Sequence, residues 1–242
     1  MRIFIAGATG VIGRRLSRLL AADGHALTGT TRSREQVAQL ASYGVAPVVV
    51  DAFDGRALRT AVLRARPDVV IHQMTDLPDV LDPARRHEVL ERNARLRIEG
   101  TANLVAAAHA AGARRLIAQS IAFAYAAGRQ PHGESDPLAD AEGDEPSAVT
   151  ARGVRALEHA VLGAPGLLGI VLRYGRLYGP GTWQETPNGR CLLHVDAAAQ
   201  AARLAVTRGE PGIYNIAEDD GAVTIEKARN ALGFDPAFRL PP

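Results

Sequence analysis

A doubly wound α/β fold with a parallel sheet is what this sequence predicts, and three observations carry the prediction. Apolar runs of strand length alternate with helix-patterned segments through most of the 242 residues. Residues 45–50 are apolar throughout, as a strand covered on both faces is. The first run, Ile3-Phe4-Ile5-Ala6, leads straight into Gly7-Ala8-Thr9-Gly10-Val11-Ile12-Gly13 and then a helix pattern at Leu16, Leu19 and Leu20. Repeated strand–helix–strand units close into a parallel sheet with helices on both sides.

Strand, glycine turn and helix in that order make a Rossmann-type dinucleotide site. Gly7 permits the tight turn, Gly10 lets backbone approach a pyrophosphate, and Gly13 lets the helix sit close to the strand. The residues between them, Thr9, Val11 and Ile12, present the free N–H groups of a helix N-terminus to the phosphates.

A second strand follows at residues 26–30. Ser33 then opens a helix with a capping-box spacing, Gln36 standing three residues on. A third strand covers 45–50, Asp54 caps a helix reaching Ala65, and Pro67 ends that connection before a fourth strand at 68–72. Residues 83–111 read as one long helix closed by Gly112, then come a strand at 115–119, a helix at 149–162 and a strand at 169–174. The segment 128–147, rich in Gly, Pro, Asp and Glu, reads as an exposed mobile loop. From Gly175 the rhythm changes: Gly, Pro and Trp crowd 175–189, with a helix at 195–207, a short strand at 212–216, a last helix at 224–232 and an irregular tail. The division expected is a dinucleotide-binding domain over 1–174, with 175–242 supplying a small substrate lobe that partly completes the sheet. Ligands in such sheets sit at the carboxyl ends of strands, so the loops after Ala6, His72, Gln119 and Tyr174 should line one crevice.

Composition narrows the class. The formal net charge is +2, and all but one of the 28 cationic side chains are arginine, the exception being Lys227. The arginines are scattered among acids, a pattern of a GC-rich bacterial genome rather than of a nucleic-acid binder. The lone cysteine, Cys191, rules out an internal disulfide and fits a reducing cytoplasm. No apolar run has membrane or signal-peptide length, and no Cys/His cluster has metal-ligand spacing. The expected partners are a small-molecule substrate, with a homodimer left open, and neither nucleic acid nor membrane.

Several phrases resemble the extended short-chain dehydrogenase/reductase superfamily, in its NAD-dependent epimerase/dehydratase branch. They are the opening glycine turn, Pro67-Asp68-Val69-Val70-Ile71-His72, Glu99-Gly100-Thr101-Ala102-Asn103-Leu104, Leu172-Arg173-Tyr174-Gly175-Arg176-Leu177-Tyr178-Gly179-Pro180-Gly181 and His194-Val195-Asp196. Tyr214-Asn215-Ile216-Ala217 and Leu232-Gly233-Phe234-Asp235-Pro236 resemble its C-terminal signatures. The resemblance spans nearly the whole chain and implies the Rossmann fold and a nicotinamide cofactor.

An acid at the end of the second strand would take the adenosine ribose hydroxyls; here Thr30-Thr31-Arg32-Ser33-Arg34 offers none. Arg32 and Ser33 suit a 2′-phosphate, which points to NADP, with NAD the alternative. Asp51 stands where the family contacts the adenine amino group, or it simply caps the next turn. His72 and Met74, at and just past the end of the fourth strand, complete the expected cofactor contacts, His72 reading first as a packing residue.

The family's chemistry rests on a tyrosine acid/base and a lysine four residues later. The lysine lowers the tyrosine's pKa and holds the nicotinamide ribose. Aligned on Glu158, those places hold Thr150 and Val154. The assisting serine or threonine falls on Ile121, with Ser120 one place early, and the asparagine usually three before Gly100 is Arg97. Candidates left to face the nicotinamide are Tyr125, as proton donor or as an aromatic closing its loop, together with Ser120 and Tyr174. Arg176 is a candidate for an acidic substrate, and Trp183 with Met74 for an apolar wall. About ten residues separate Trp183 from His194, a shortened lobe. The leading expectation is an atypical NADP-dependent oxidoreductase that moves hydride without the usual relay. A catalytically silent NADP(H)-binding redox sensor and a nucleotide-sugar epimerase or dehydratase are the alternatives.

Overall fold

In chain order the first half runs β1 (Arg2–Ala6), α1 (Val11–Ala22), β2 (Ala26–Thr31), α2 (Val37–Ser42), β3 (Val45–Val49), α3 (Gly55–Ala65), β4 (Val69–His72), α4 (Arg86–Arg95) and α5 (Thr101–Ala110). The second half runs β5 (Arg115–Ile121), α6 (Pro146–Leu162), β6 (Leu168–Tyr174), β7 (Arg176–Tyr178), β8 (Leu192–His194), α7 (Val195–Leu204), β9 (Gly212–Ile216) and α8 (Glu226–Leu232). These come from a computed structural model that describes residues 1–241 apart from 79 and 81.

Strand side chains alternate between two faces, and that alternation sorts them into two cores. Ile3 and Ile5 of β1, Ile71 of β4, Ile117 of β5 and Ile170 and Leu172 of β6 pack with Leu16 and Leu20 of α1, the alanines of α7 and Leu232 of α8. Their strand neighbours Phe4, Ala6, Val70, Leu116, Ala118 and Val171 face the other way, onto Leu58 and Val62 of α3, Leu104 and Ala107 of α5, and Leu157 and Val161 of α6. The sheet has seven parallel strands in the order β3-β2-β1-β4-β5-β6-β9, as expected of a doubly wound fold. The order reverses between β1 and β4, and this opens the crevice at their carboxyl ends. Residues after Gly175 enter the same structure: β9 pairs with β6 at the sheet edge, while β7 and β8 form a separate parallel pair.

Four local expectations need correction. β3 is an edge strand, so only Val45 is buried and Val49 stays 44% exposed, because no further strand covers it. The helix expected over 83–111 starts with a 3₁₀ turn and is interrupted between α4 and α5 by a π-helical turn at Leu96–Gly100. The capping box forms only half: Ser33 Oγ accepts from Glu35 N, but the Gln36 side chain bonds Thr31 Oγ1 instead of reaching back. The segment 128–147 is fastened rather than loose. Tyr125 bridges Leu138, His132 bridges Val223, and Arg155 donates to the carbonyls of Leu138 and Ala139. Cutting Leu104 back to alanine, in the core under α5, should cost about 2–5 kcal/mol of unfolding free energy in urea titrations.

Candidate functional site

Backbone requirements build the first part of the crevice. Gly7 has φ +86°, and a Cβ there would stand 2.6 Å from the Gln73 carbonyl oxygen, so β1 can pass close to the end of β4 only without a side chain. A Cβ on Gly13 would collide with the Gly7 and Ala8 backbone. Gly10 differs: a Cβ there would meet only Gly7 O, at 3.5 Å, so its outer side is open. It is also the N-cap of α1 with no side chain to cap the helix. A glycine facing open space at an uncapped N-terminus, with Thr9, Val11 and Ile12 beside it, fits a pyrophosphate. These residues therefore suit a dinucleotide.

Next along the crevice, the structure supplies an acid that the sequence around β2 lacks. Asp76, in the loop after β4, accepts from Arg32 Nη1 at 3.1 Å and from Arg92 Nη2 at 3.0 Å. Its side chain is 8% exposed, whereas those of Arg32 and Arg92 are 58% and 52% exposed, so two cations lie above one carboxylate. Ser33 N–H donates to Thr31 Oγ1, and Asp51 Oδ1 accepts from Phe53 N, closing its own turn at the end of β3. Nothing in the spacing of residues 68–76 marks Asp76 as a neighbour of Arg32; the parallel pairing of β1 with β2 and β4 brings them together.

The carboxyl ends of β4 and β6 carry His72, Gln73, Met74 and Tyr174. His72 is buried with both ring nitrogens engaged, Nδ1 accepting from Met74 N and Nε2 meeting Thr101 Oγ1 at 2.9 Å. Burial first, and the Arg97 charge second, hold its pKa down to about 4, so it is a neutral packing residue. Gln73 Nε2 donates to Tyr174 OH, and Gln73 Oε1 has no donor among the described residues. Tyr174 is fully enclosed, and burial pushes its hydroxyl far above the usual tyrosine range. Trp183 is half exposed and donates to Pro78 O, while Arg176 lies over the Phe123 ring at 4.2 Å.

At the relay positions the usual groups are missing from the crevice wall. Thr150 Oγ1 donates to Pro146 O within its own helix, and Val154 is completely buried. In their stead stands a buried ion pair, Arg173 Nε and Nη2 donating to Glu158 Oε1 and Oε2 at 2.8 and 2.7 Å. Ser120, an expected catalytic candidate, donates to the same Glu158 Oε1 at 2.8 Å and is buried. Tyr125, the expected proton donor, accepts from Arg173 Nη1 at 2.8 Å and gives its own proton to Asn215 Oδ1 at 2.7 Å. It also stacks on His132, and burial raises its pKa against the opposing pull of Arg173. Ser120 and Tyr125 thus give their protons to protein partners, while Tyr174 accepts from Gln73. Arg97, on the π turn, is the opposite case: a residue 8% exposed whose guanidinium has no hydrogen-bond acceptor among the described residues. Charged residues within segments that pattern as buried, as Glu158 and Arg173 do, signal an internal pair, since an isolated buried charge costs too much. Among the described residues no His, Cys, Asp and Glu cluster could hold a metal ion, and no helix is long and apolar enough to cross a membrane.

Two predictions follow from this geometry. His72 moves from its ordinary 6.5 to about 4 on folding, so between those pH values the unfolded chain binds more protons. Stability should fall as pH drops through that window, His72→Gln should flatten the profile there, and NMR titration should show His72 still neutral at pH 5.5. Gly10→Val places a side chain where the pyrophosphate would lie; calorimetry should show dinucleotide binding lost while circular dichroism stays native.

Comparison with known proteins agrees with this architecture. A model of the NAD dependent epimerase/dehydratase family matches residues 3–191. A Streptomyces protein, 3-diazoavenalumate denitrifying reductase, is 40% identical over 264 aligned positions, covering 100% of this chain and 84% of its own length. UDP-glucose 4-epimerase from Thermotoga maritima superposes with TM-score 0.78 at 18% identity, over 99% of this chain and 94% of that one. A dTDP-glucose 4,6-dehydratase from Streptomyces venezuelae with NAD bound gives 0.76 at 19% identity, over 99% and 93%. The glycine turn, the parallel sheet and the family match along most of the chain identify this protein as a member of the NAD dependent epimerase/dehydratase family.

Proposed function

We propose that this protein is an NADPH-dependent reductase that places hydride on an aromatic carbon bearing a diazonium group and releases the nitrogen as N₂. The reading rests on one observation, the loss of the proton-delivering pair at Thr150 and Val154 in a chain 40% identical throughout to a denitrifying reductase of a diazo-substituted carboxylate. Reduction of a carbonyl leaves an alkoxide that needs a proton, which is the task of a tyrosine–lysine pair. An arenediazonium carbon needs none. The hydride's electron pair forms the new C–H bond, the C–N bond breaks, and its pair leaves with neutral dinitrogen. An aliphatic diazo carbon would have to be protonated first, so the aromatic substrate fits a site in which the Ser120 and Tyr125 hydroxyls already donate to protein partners.

A bound dihydronicotinamide dinucleotide supplies the hydride and is oxidised. The chain's part is to hold and orient. The backbone of Gly7, Gly10 and Gly13, with Thr9, Val11 and Ile12, would take the pyrophosphate, and His72 and Met74 would shape the floor at β4. Asp51 would meet the adenine. Arg32 and Ser33 would receive a 2′-phosphate, and the second cation at Asp76, Arg92, reinforces this by leaving the cluster one positive charge in excess. Cytoplasmic residence and a homodimer belong to the same reading.

Arg32→Ala should weaken NADPH by on the order of 1.5–3 kcal/mol, the range of a hydrogen bond to a charged group, and leave NADH unchanged by calorimetry. Equal affinity of the wild type for the two dinucleotides overturns the NADP assignment. For the reaction, an arenediazonium carboxylate is incubated with protein and NADPH deuterated at C4. Dinitrogen should evolve, with deuterium at the carbon that lost it, and Tyr125→Phe should retain turnover within a few-fold. A tenfold or larger loss in Tyr125→Phe, or deuterium only in the products of carbonyl substrates, refutes proton-free hydride transfer.

A further inference from the structure

Arg97 is a buried cation of the crevice region that neither the cofactor reading nor the Glu158–Arg173 pair employs. It sits on the π-helical turn Leu96–Gly100, and such insertions within helices concentrate at functional sites because they redirect a side chain. Its aliphatic stem is clamped. A Cβ at Gly153 would stand 2.9 Å from Ala94 Cα and 3.3 Å from Arg97 Cδ, so α6 presses on the π turn only because residue 153 has no side chain. The guanidinium lies near His72, at the carboxyl end of β4, and near Glu158, which holds Ser120 from the end of β5. This is the strand-end layer of the crevice.

The charges there do not balance. Glu158 is spent on Arg173 through both oxygens, and His72 is neutral, so among the described residues Arg97 leaves one unmatched positive charge. Burial pulls its pKa down to about 10, against the attraction of Glu158, and it stays protonated near neutral pH. Arg97 is 8% exposed as a residue, and its guanidinium, with five N–H donors, has no acceptor among the described residues; a cation so little hydrated is costly unless a ligand completes it. Neutral hydroxyls of a sugar would satisfy its donors and leave its charge uncompensated. An anion does both, and the planar fork matches a carboxylate in two parallel hydrogen bonds.

We propose that Arg97 is the receptor for the substrate's carboxylate, the anchor that turns an anionic aromatic substrate toward the nicotinamide. The assignment deepens the reductase reading and rests on it for the identity of the anion. The test uses the NADPH-loaded protein and a diazo-free probe, cinnamate, with cinnamamide as the uncharged control. Arg97→Met keeps the stem and removes the charge. Its cinnamate affinity by calorimetry should fall about 10- to 100-fold, as for a lost hydrogen-bonded charge, with cinnamamide and NADPH affinities unchanged and Tm equal or higher. Arg97→Lys should recover part of the affinity. Unchanged cinnamate binding in Arg97→Met overturns the proposal, as does a parallel loss of NADPH affinity, which would make Arg97 a cofactor ligand. Should Arg97→Met fail to fold, Arg97→Gln carries the same comparison. If diazonium turnover is absent while cinnamate binding still depends on Arg97, the reductase reading fails and the anion site stands. Turnover with cinnamate binding indifferent to Arg97 sinks only the anion site.

Discussion

Glu158 on α6 and Arg173 on β6 meet beneath the crevice with both charges out of water, joined by two short hydrogen bonds. Such a pair adds little net stability over a well-packed apolar one, yet losing a single partner leaves a buried charge that costs about 3–5 kcal/mol. What the pair provides is register. It ties α6 to the sheet at one position, draws in the Ser120 hydroxyl from β5, and through Arg173 holds Tyr125 and the Glu134 carbonyl of the fastened loop. Tyr125 then reaches Asn215 on β9. Three adjacent strands, one helix and one long loop are therefore referred to a single ion pair.

That network also accounts for the character of the site. The Ser120 and Tyr125 hydroxyls donate within the wall, and the helix face that would carry a tyrosine and a lysine carries Thr150, bonded to its own backbone, and buried Val154. A wall of this kind is stiff, but it is poor in mobile protons. Chemistry that proceeds by positioning alone, with a leaving group that needs no protonation, matches it better than reduction of a carbonyl.

Charge is distributed unevenly along the crevice. At the β2 end two exposed arginines share one buried aspartate, and at the β4–β5 end one buried arginine has no acidic partner of its own among the described residues. Among the described residues, both ends carry an excess positive charge. The uncapped α1 N-terminus between them adds its partial positive charge. The molecule's formal charge of only +2 conceals this local concentration.

Local sequence determined a large part of this protein. The glycine turn with its flanking strand and helix, the βαβ rhythm and the loss of the tyrosine–lysine pair depend on spacing within a few residues, and the chain obeys them wherever it is placed. Ser33 and Asp54 appear as helix caps for the same reason, since a cap is a bond between near neighbours. Tertiary structure decided what depends on residues far apart in the chain. Whether an apolar strand is central or an edge follows from which strands pair, so β3 reads like β4 yet lies exposed on one side. Asp76 meets Arg32 across 44 residues, and Tyr125 meets Asn215 across 90. The same packing set the partners of Tyr125 and Ser120, Asn215 and Glu158. The position of Arg97 is likewise a property of the packed crevice, because the nearby Glu158 is given to Arg173 only where α6 meets β6.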